Sequence, residues 1–202
     1  MVGRIHVSVI VLAAGSSSRM GRSKLTLPFR ETTLLRLAVS RAAAVGGAPP
    51  VVVTGHDDEL IRAHLAGVEA VPRLVHNPDW KRGMGGSIAT GVEATDSAVG
   101  PYLITLADQL GADEQLLQQL LTAHANFPND IIAVAYPEGP GAPALFPAVY
   151  REQLLNQDSQ GGARKLLRSG RYPVRTISPP APLEDVDTPE DYQRLTGRIL
   201  RP

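Results

Sequence analysis

The chain of 202 residues contains no cysteine. Disulfides, thiol nucleophiles, iron–sulfur clusters and thiolate zinc sites are therefore excluded. Aromatic residues are scarce at 4%. The apolar content is carried mainly by Ala, Val, Leu and Ile, which suits parallel strands covered by Ala/Leu-rich helices. The formal net charge is zero, so neither a nucleic acid nor a membrane surface has global electrostatic support as a partner. No long apolar run is present. Ile5 to Ala14 is too short for a span and runs into a glycine loop, so a cytoplasmic location is expected. The five histidines (His6, His56, His64, His76, His124) are scattered without metal-ligand spacing. The Gly-x-Ser-x-Gly of a hydrolase elbow is also missing.

What remains has a clear order. A strand-like run at Val7 to Leu12 precedes a helix pattern at Thr32 to Val45 that ends at Gly46-Gly47. Val51 to Thr54 reads as a second strand and Asp57 to Leu65 as a second helix. A short strand near Leu74-Val75 leads to a Gly83–Ser87 loop and a helix to about Ala94. Tyr102 to Leu106 is another strand, Asp113 to His124 a helix, and Ile131 to Ala135 a strand followed by a Pro/Gly loop at Pro137 to Pro143. Helices are predicted over Pro147 to Leu155 and Gly162 to Arg168. A strand follows at Val174 to Ile177, then a proline-rich loop (Pro179, Pro180, Pro182) crossing the site, and a last helix from Pro189. This alternation predicts an α/β fold: a Rossmann-like, doubly wound, mostly parallel sheet with helices on both faces, as one domain over residues 1–202. Ligands in such sheets bind beyond the carboxyl ends of the strands.

The first such end is the richest. Val9 to Leu12 feeds into Ala13-Ala14-Gly15-Ser16-Ser17-Ser18-Arg19-Met20-Gly21-Arg22-Ser23-Lys24. Free backbone N–H groups, small side chains and the cations Arg19 and Lys24 meet at one place, which suits a polyphosphate. Neither G-x-G-x-x-G nor G-x-x-x-x-G-K-[ST] can be read here. From Met1 to Val45 the basic residues Arg4, Arg19, Arg22, Lys24, Arg30, Arg36 and Arg41 face a single acid, Glu31, whereas Glu184 to Asp191 is acidic. Such runs fit a phosphate and its metal, or two solvated surfaces. Asp108 follows a strand, where a carboxylate can hold a hard cation or cap a turn. In Asp185-Val186-Asp187-Thr188-Pro189-Glu190-Asp191, a helix start explains Thr188, Pro189 and Asp191. It leaves Asp185 and Asp187 unexplained. Gly83-Met84-Gly85-Gly86-Ser87 could let a backbone approach a planar base, or be a loop with Ser87 as N-cap.

In order, Leu12-Ala13-Ala14-Gly15-x-Ser-x-Arg19-Met20-Gly21-x-x-Lys24 resembles the signature loop of the nucleotidyltransferases that make sugar nucleotides and dinucleotide cofactors. It is most similar to their MobA-like branch and, within that, to the molybdenum cofactor cytidylyltransferases. Thr105-Leu106-Ala107-Asp108-Gln109, Asn77-Pro78-Asp79-Trp80 with Gly83–Ser87, and Asp185–Asp191 extend the resemblance. Leu110 stands where that family has proline after Asp-Gln. The resemblance implies a nucleotide-diphospho-sugar transferase fold and a Mg²⁺-dependent transfer of CMP from CTP to the phosphate of molybdopterin, with release of pyrophosphate. Arg19 and Lys24 would be catalytic. Leu12, Ala13, Ala14, Gly15, Ser16, Gly83, Gly85, Gly86 and Ser87 would join them in holding the nucleotide. Asp108 and Asp187 would hold Mg²⁺, with Asp185 in support. Gly139 to Phe146 resembles an acceptor-side loop, giving Gly141 and Pro143 to the acceptor. Ser159 to Arg164 resembles a second acceptor segment and adds Arg164, although Gln160 replaces that segment's Asp.

The Ala13-Ala14-Gly15 form of the loop resembles the CTP-using members. A guanylyltransferase of the same branch, the isoprenoid-pathway cytidylyltransferases and a non-catalytic molybdenum cofactor carrier stay open. The isoprenoid enzymes carry His-Asp-Ala-Ala-Arg-Pro where this chain has Leu106-Ala107-Asp108-Gln109-Leu110. A molybdoenzyme receiving the product is the expected protein partner.

Overall fold

The computed structural model of the chain describes residues 6–96, 100–157, 161–179 and 183–197. The apolar stretch Ser8–Ala13 forms strand β1 at the middle of the molecule, with Val9 to Ala13 all buried. A two-stranded hairpin follows, β2 (Pro28–Phe29) and β3 (Thr32–Thr33). Helix α1 (Leu34–Gly46) begins only at Leu34, because Thr33 is extended and its side chain accepts the Arg36 N–H as N-cap. Thr32 and Thr33 are thus strand, not the first helical residues. Strand β4 (Val51–Thr54), helix α2 (Asp58–Leu65), strand β5 (Arg73–His76), helix α3 (Met84–Glu93) and strand β6 (Tyr102–Leu106) follow in turn. The remaining elements are α4 (Glu114–Asn126), β7 (Ile131–Val134), β8 (Gly141–Phe146), α5 (Arg151–Leu155), α6 (Arg164–Arg168), β9 (Val174–Ile177) and α7 (Pro189–Thr196).

Seven strands make one sheet in the order β5-β4-β1-β6-β8-β7-β9. All pairs are parallel except those of β8, which runs antiparallel to both β6 and β7. Gly141–Phe146 therefore corrects the reading of a loop continuing to Phe146. Its one glycine and one proline, preceded directly by Gly139 and Pro140, masked a strand whose last four residues, Pro143 to Phe146, are buried. The expectation of a doubly wound, mostly parallel sheet holds around this one reversed strand.

Period-two alternation along β1 divides the core. Val9, Val11 and Ala13 pack with α1, α2 and α4 on one face, through residues such as Leu35, Val39, Ile61 and Leu120. Ile10 and Leu12 pack on the other face with Ile88 and Val92 of α3, Leu154 of α5 and Leu167 of α6. Each fully buried aliphatic side chain contributes about 1.5–3 kcal/mol, so both layers are strongly fixed. The chain builds β4 and β5 to one side of β1 and β6 to the other. The loops after β1 and β6 therefore emerge side by side at the carboxyl edge of the sheet, where ligands of such sheets bind. Among the described residues no helix is long and apolar enough to cross a membrane.

Candidate active site

The loop after β1 is shaped by left-handed backbone at Ser17 (φ 50°) and Gly21 (φ 66°). The Ser17 hydroxyl accepts the Lys24 N–H at 3.1 Å, which folds the loop back and brings Lys24 over the strand end. A third, small apolar cluster of Met20, Leu27, Leu34, Val186 and Tyr192 ties this loop to α7, and the Tyr192 hydroxyl donates to the Pro28 carbonyl. The loop after β6 is then zipped to the segment before α7. Ala107 N–H donates to the Leu12 carbonyl, Val186 N–H donates to the Asp108 carbonyl, and Gln109 bridges Asp185. The capping box of α7, between Thr188 and Asp191, holds the end of that segment, and the Asp187 N–H also reaches the Asp191 carboxylate.

These constraints bring together four side chains that are up to 168 positions apart in sequence. Lys24 Nζ lies 2.5 Å from Asp108 Oδ2 and 2.8 Å from Asp187 Oδ1. Arg19 Nη2 lies 2.7 Å from Asp187 Oδ2. Burial lowers the Lys24 pKa, but the Asp108 and Asp187 carboxylates outweigh it and hold the ammonium above its ordinary value. At Asp187 burial acts to raise the pKa, and Lys24 and Arg19 overcome it to leave the carboxyl below the usual range. Asp185 goes the other way. Burial, then the charge of Asp108, push it up; a Gln109 hydrogen bond opposes this and Asp187 adds to it. Arg19 is 66% exposed, so its ion pair adds little stability. It is available to an incoming anion.

Leu12, Ala13, Gly15, Ser16, Arg19, Lys24, Asp108 and Asp187 all line one cavity of about 240 Å³. Next to it, sharing Leu12, Gly15 and Asp108, is a cavity of about 230 Å³ walled by Ala14, Trp80, Gly83, Met84, Ser87 and Leu106. A third cavity, of about 200 Å³, shares Met84 and Leu106 with the second. Gln109, Tyr136, Gly141, Phe146, Arg164 and Asp185 contribute to its walls. The three are neighbours that share walls, a row whose sizes could take a phosphate chain, a flat ring and a second molecule.

Two readings of the glycine loop need correction. The segment from Met84 is already helix α3, with Gly83 (φ 117°) as its N-cap residue. Ser87 is therefore not an N-cap but lies in the first turn, and Gly85 and Gly86 line none of the three cavities. Their small size is compatible with helix as well as loop, which a pattern of glycines does not reveal. Likewise Gly141 and Arg164 line the third cavity but Pro143 does not. As part of β8, its direction is set by strand alternation. Gln160 and the prolines 180 and 182 lie outside the described residues. Trp80, Leu106 and Phe146 lie within the Asn77–Trp80, Thr105–Gln109 and Gly139–Phe146 segments, whose spacing does not show which side chains wall a cavity, and Tyr136 is an isolated aromatic with no motif of its own.

Among the described residues, no group of three or more His, Cys, Asp or Glu side chains is arranged to hold a metal. Asp108 and Asp187 nevertheless converge on one point, since both accept from a single ammonium. Two carboxylates at a cavity beside a Gly/Ser loop fit Mg²⁺, which takes few protein ligands and completes its shell with phosphates and water.

A family model described as the MobA-like NTP transferase domain matches residues 9–175. The nicotine blue oxidoreductase of Paenarthrobacter nicotinovorans is 34% identical over 200 residues, covering 94% of this chain and 96% of that protein. The molybdenum cofactor cytidylyltransferase of Escherichia coli is 25% identical over 195 residues, covering 92% and 93%. Among solved structures, Rv0371c of Mycobacterium tuberculosis superposes with a TM-score of 0.83 at 26% identity, covering 96% of this chain and all of that one. The same protein solved as a complex with manganese gives 0.78 at 25% identity, covering 96% and 98%.

Proposed function

The chain belongs to the MobA-like NTP transferase family, and from that premise we propose that it is a Mg²⁺-dependent cytidylyltransferase joining CMP to the phosphate of molybdopterin. That it is a nucleotidyltransferase follows from the family. The metal-dependent mechanism rests on one observation above all: Lys24 bridges Asp108 and Asp187 at the mouth of a Gly/Ser loop. We take residues 1–202 as one nucleotidyltransferase domain.

In this reading the triphosphate of CTP lies along the loop from Ala13 to Lys24, with Ser16 and the backbone N–H groups as donors. The base enters the cavity between Ala14, Gly83 and Ser87, and the acceptor occupies the cavity of Gly141 and Arg164. An oxygen of the acceptor phosphate attacks the α-phosphorus. The bond to the bridging oxygen breaks, and its electron pair leaves with pyrophosphate. A phosphate monoester has a second pKa of about 6 and is largely dianionic at neutral pH, so no protein base is needed. Lys24 and Arg19 lie where they can neutralise charge on the triphosphate and the departing pyrophosphate. Asp108 and Asp187 would hold Mg²⁺, which when bound supplies charge neutralisation and orientation of the phosphates. The manganese complex of a structural relative supports a divalent ion. The Ala13-Ala14-Gly15 loop supports CTP over GTP, and the Escherichia coli relative supports the molybdopterin acceptor. The partners proposed are these small molecules and a recipient molybdoenzyme, in the cytoplasm.

A second reading follows from the relative named as an oxidoreductase, at 34% identity. The same crevice could then hold a redox dinucleotide. Thermal stability of the purified protein with CTP, GTP, ATP, UTP or NADPH, each with and without Mg²⁺, separates the cases. Saturation at about 100 times Kd adds about 2.7 kcal/mol. A Mg²⁺-dependent shift led by CTP supports the proposal and warrants a pyrophosphate-release assay with the pterin acceptor. A shift led by GTP moves the product to the guanine dinucleotide. A Mg²⁺-independent shift led by NADPH favours the redox reading, and no shift at all favours the carrier.

A further inference from the structure

Behind the Ser87 wall of the cavity that Ser87 shares with Ala14 lies a buried hydrogen bond whose direction is fixed. Asn77 and Ser87 are each only 3% exposed. The Asn77 Oδ1 accepts the backbone N–H of Asp79 at 3.0 Å, which sets the orientation of the amide and turns Nδ2 toward Ser87. Nδ2 donates to the Ser87 Oγ at 3.0 Å. An amide nitrogen only donates, whereas a hydroxyl carries one proton and two lone pairs. With one lone pair committed to Asn77, Ser87 has its proton to offer. Ser87 is also a wall of the cavity, beside Gly15, Trp80 and Gly83.

We propose that Asn77 is a positioning residue that sets the polarity of Ser87, making its hydroxyl a donor that reads an acceptor atom on the edge of the nucleotide base. The inference rests on the reading that this crevice binds an NTP. At the centre of its pairing edge, cytosine carries a bare acceptor, N3. Uracil and guanine carry an N–H donor at the corresponding place. With the centre of the pairing edge facing Ser87, the free proton pairs directly with N3 of cytosine, whereas uracil or guanine must turn that proton away and donate to the remaining lone pair, leaving the hydroxyl proton without this partner in a buried wall, which is costly. The choice of base is thus made partly by a residue outside the glycine loops that touches no nucleotide itself.

Asn77→Asp tests this directly. The introduced carboxylate keeps the bond from the Asp79 N–H but can only accept, so the Ser87 proton turns toward it and a lone pair faces the base. Affinities for CTP and UTP are measured by titration calorimetry with Mg²⁺, and their ratio cancels any general repulsion of the triphosphate. The CTP-over-UTP preference of the wild type is expected to fall about tenfold. Ser87→Ala is expected to lose the preference as well, and Asn77→Asp added to Ser87→Ala to change it no further. If both affinities fall together in Asn77→Asp with the ratio intact, Asn77 is merely structural and the inference is overturned. Should that variant not fold, a CTP preference retained in Ser87→Ala overturns it equally. A wild type that prefers UTP or GTP sinks the inference but leaves the NTP reading standing. A wild type that binds no nucleotide removes the NTP reading itself.

Discussion

Lys24 and Asp108 face each other at 2.5 Å from opposite sides of the crevice, one on the loop after β1 and the other after β6. Because Asp187 is also within 2.8 Å of the same ammonium, Lys24 occupies the point on which both carboxylates converge. Lys24→Met is expected to cut turnover about 10²–10³-fold, as loss of a preorganised charge does. The same substitution removes the competing cation and should increase Mn²⁺ binding in the absence of nucleotide, read by electron paramagnetic resonance. Unchanged Mn²⁺ affinity would count against the convergence of the two carboxylates on a metal position.

Asp108→Asn keeps the shape of the side chain and removes its charge. Turnover that depends on Mg²⁺ is expected to fall by at least about 10², while far-UV circular dichroism stays as in the wild type. Undiminished pyrophosphate release by this variant would show that the metal assignment is wrong.

Tyr136 should titrate late. Burial raises its pKa to about 12; the Gln109 hydrogen bond opposes the shift, and the Asp185 and Glu138 carboxylates reinforce it. The folded state thus retains a proton that the unfolded chain gives up near the ordinary value of 10.0. The stabilisation is complete below that pH and is lost as pH rises toward about 12. Phenolate absorbance near 295 nm should contain a late step among the five tyrosines, and Tyr136→Phe should remove it. A late step that survives the substitution belongs to another residue.

At acid pH the sign reverses. Asp187 is held below its ordinary 3.8 by Lys24 and Arg19 against the opposing effect of burial. Its contribution is present above that value and is lost as pH falls through the depressed one. Asp187→Asn should therefore flatten the acid limb of a stability-versus-pH curve from chemical denaturation.

Gly55 has no room for a methyl group. A Cβ there would lie 2.6 Å from the Ala14 carbonyl oxygen and 2.7 Å from the Trp80 Cβ. Gly55→Ala is expected to cost roughly 1–3 kcal/mol and to weaken nucleotide binding, since both neighbours wall the proposed base cavity. Urea unfolding and nucleotide titration on the same sample check the two effects. For comparison, Thr188→Ala removes the α7 cap and should cost about 1 kcal/mol, with a looser Asp187 as its functional consequence.

Much of this protein was legible in its residues. The β-branched run of β1 and the turn chemistry of the loop after it are local, and the Thr188-Pro189-x-Asp191 start of α7 appears in the structure as a full capping box. Alternation of strand and helix periods was enough to imply a doubly wound sheet. The reversed strand β8 was not legible, because Gly141 and Pro143, following Gly139 and Pro140, imitate a loop and only pairing with β6 and β7 makes it a strand. Nor did sequence spacing show that Lys24 would bridge two aspartates, that Ser87 would face Asn77, or that Trp80 and the isolated Tyr136 would wall the cavities. Those relations depend on contacts between segments far apart in the chain. They exist only once sheet register and helix packing fix the distances, and a hydrogen bond or ion pair depends on tenths of an ångström that no local propensity encodes.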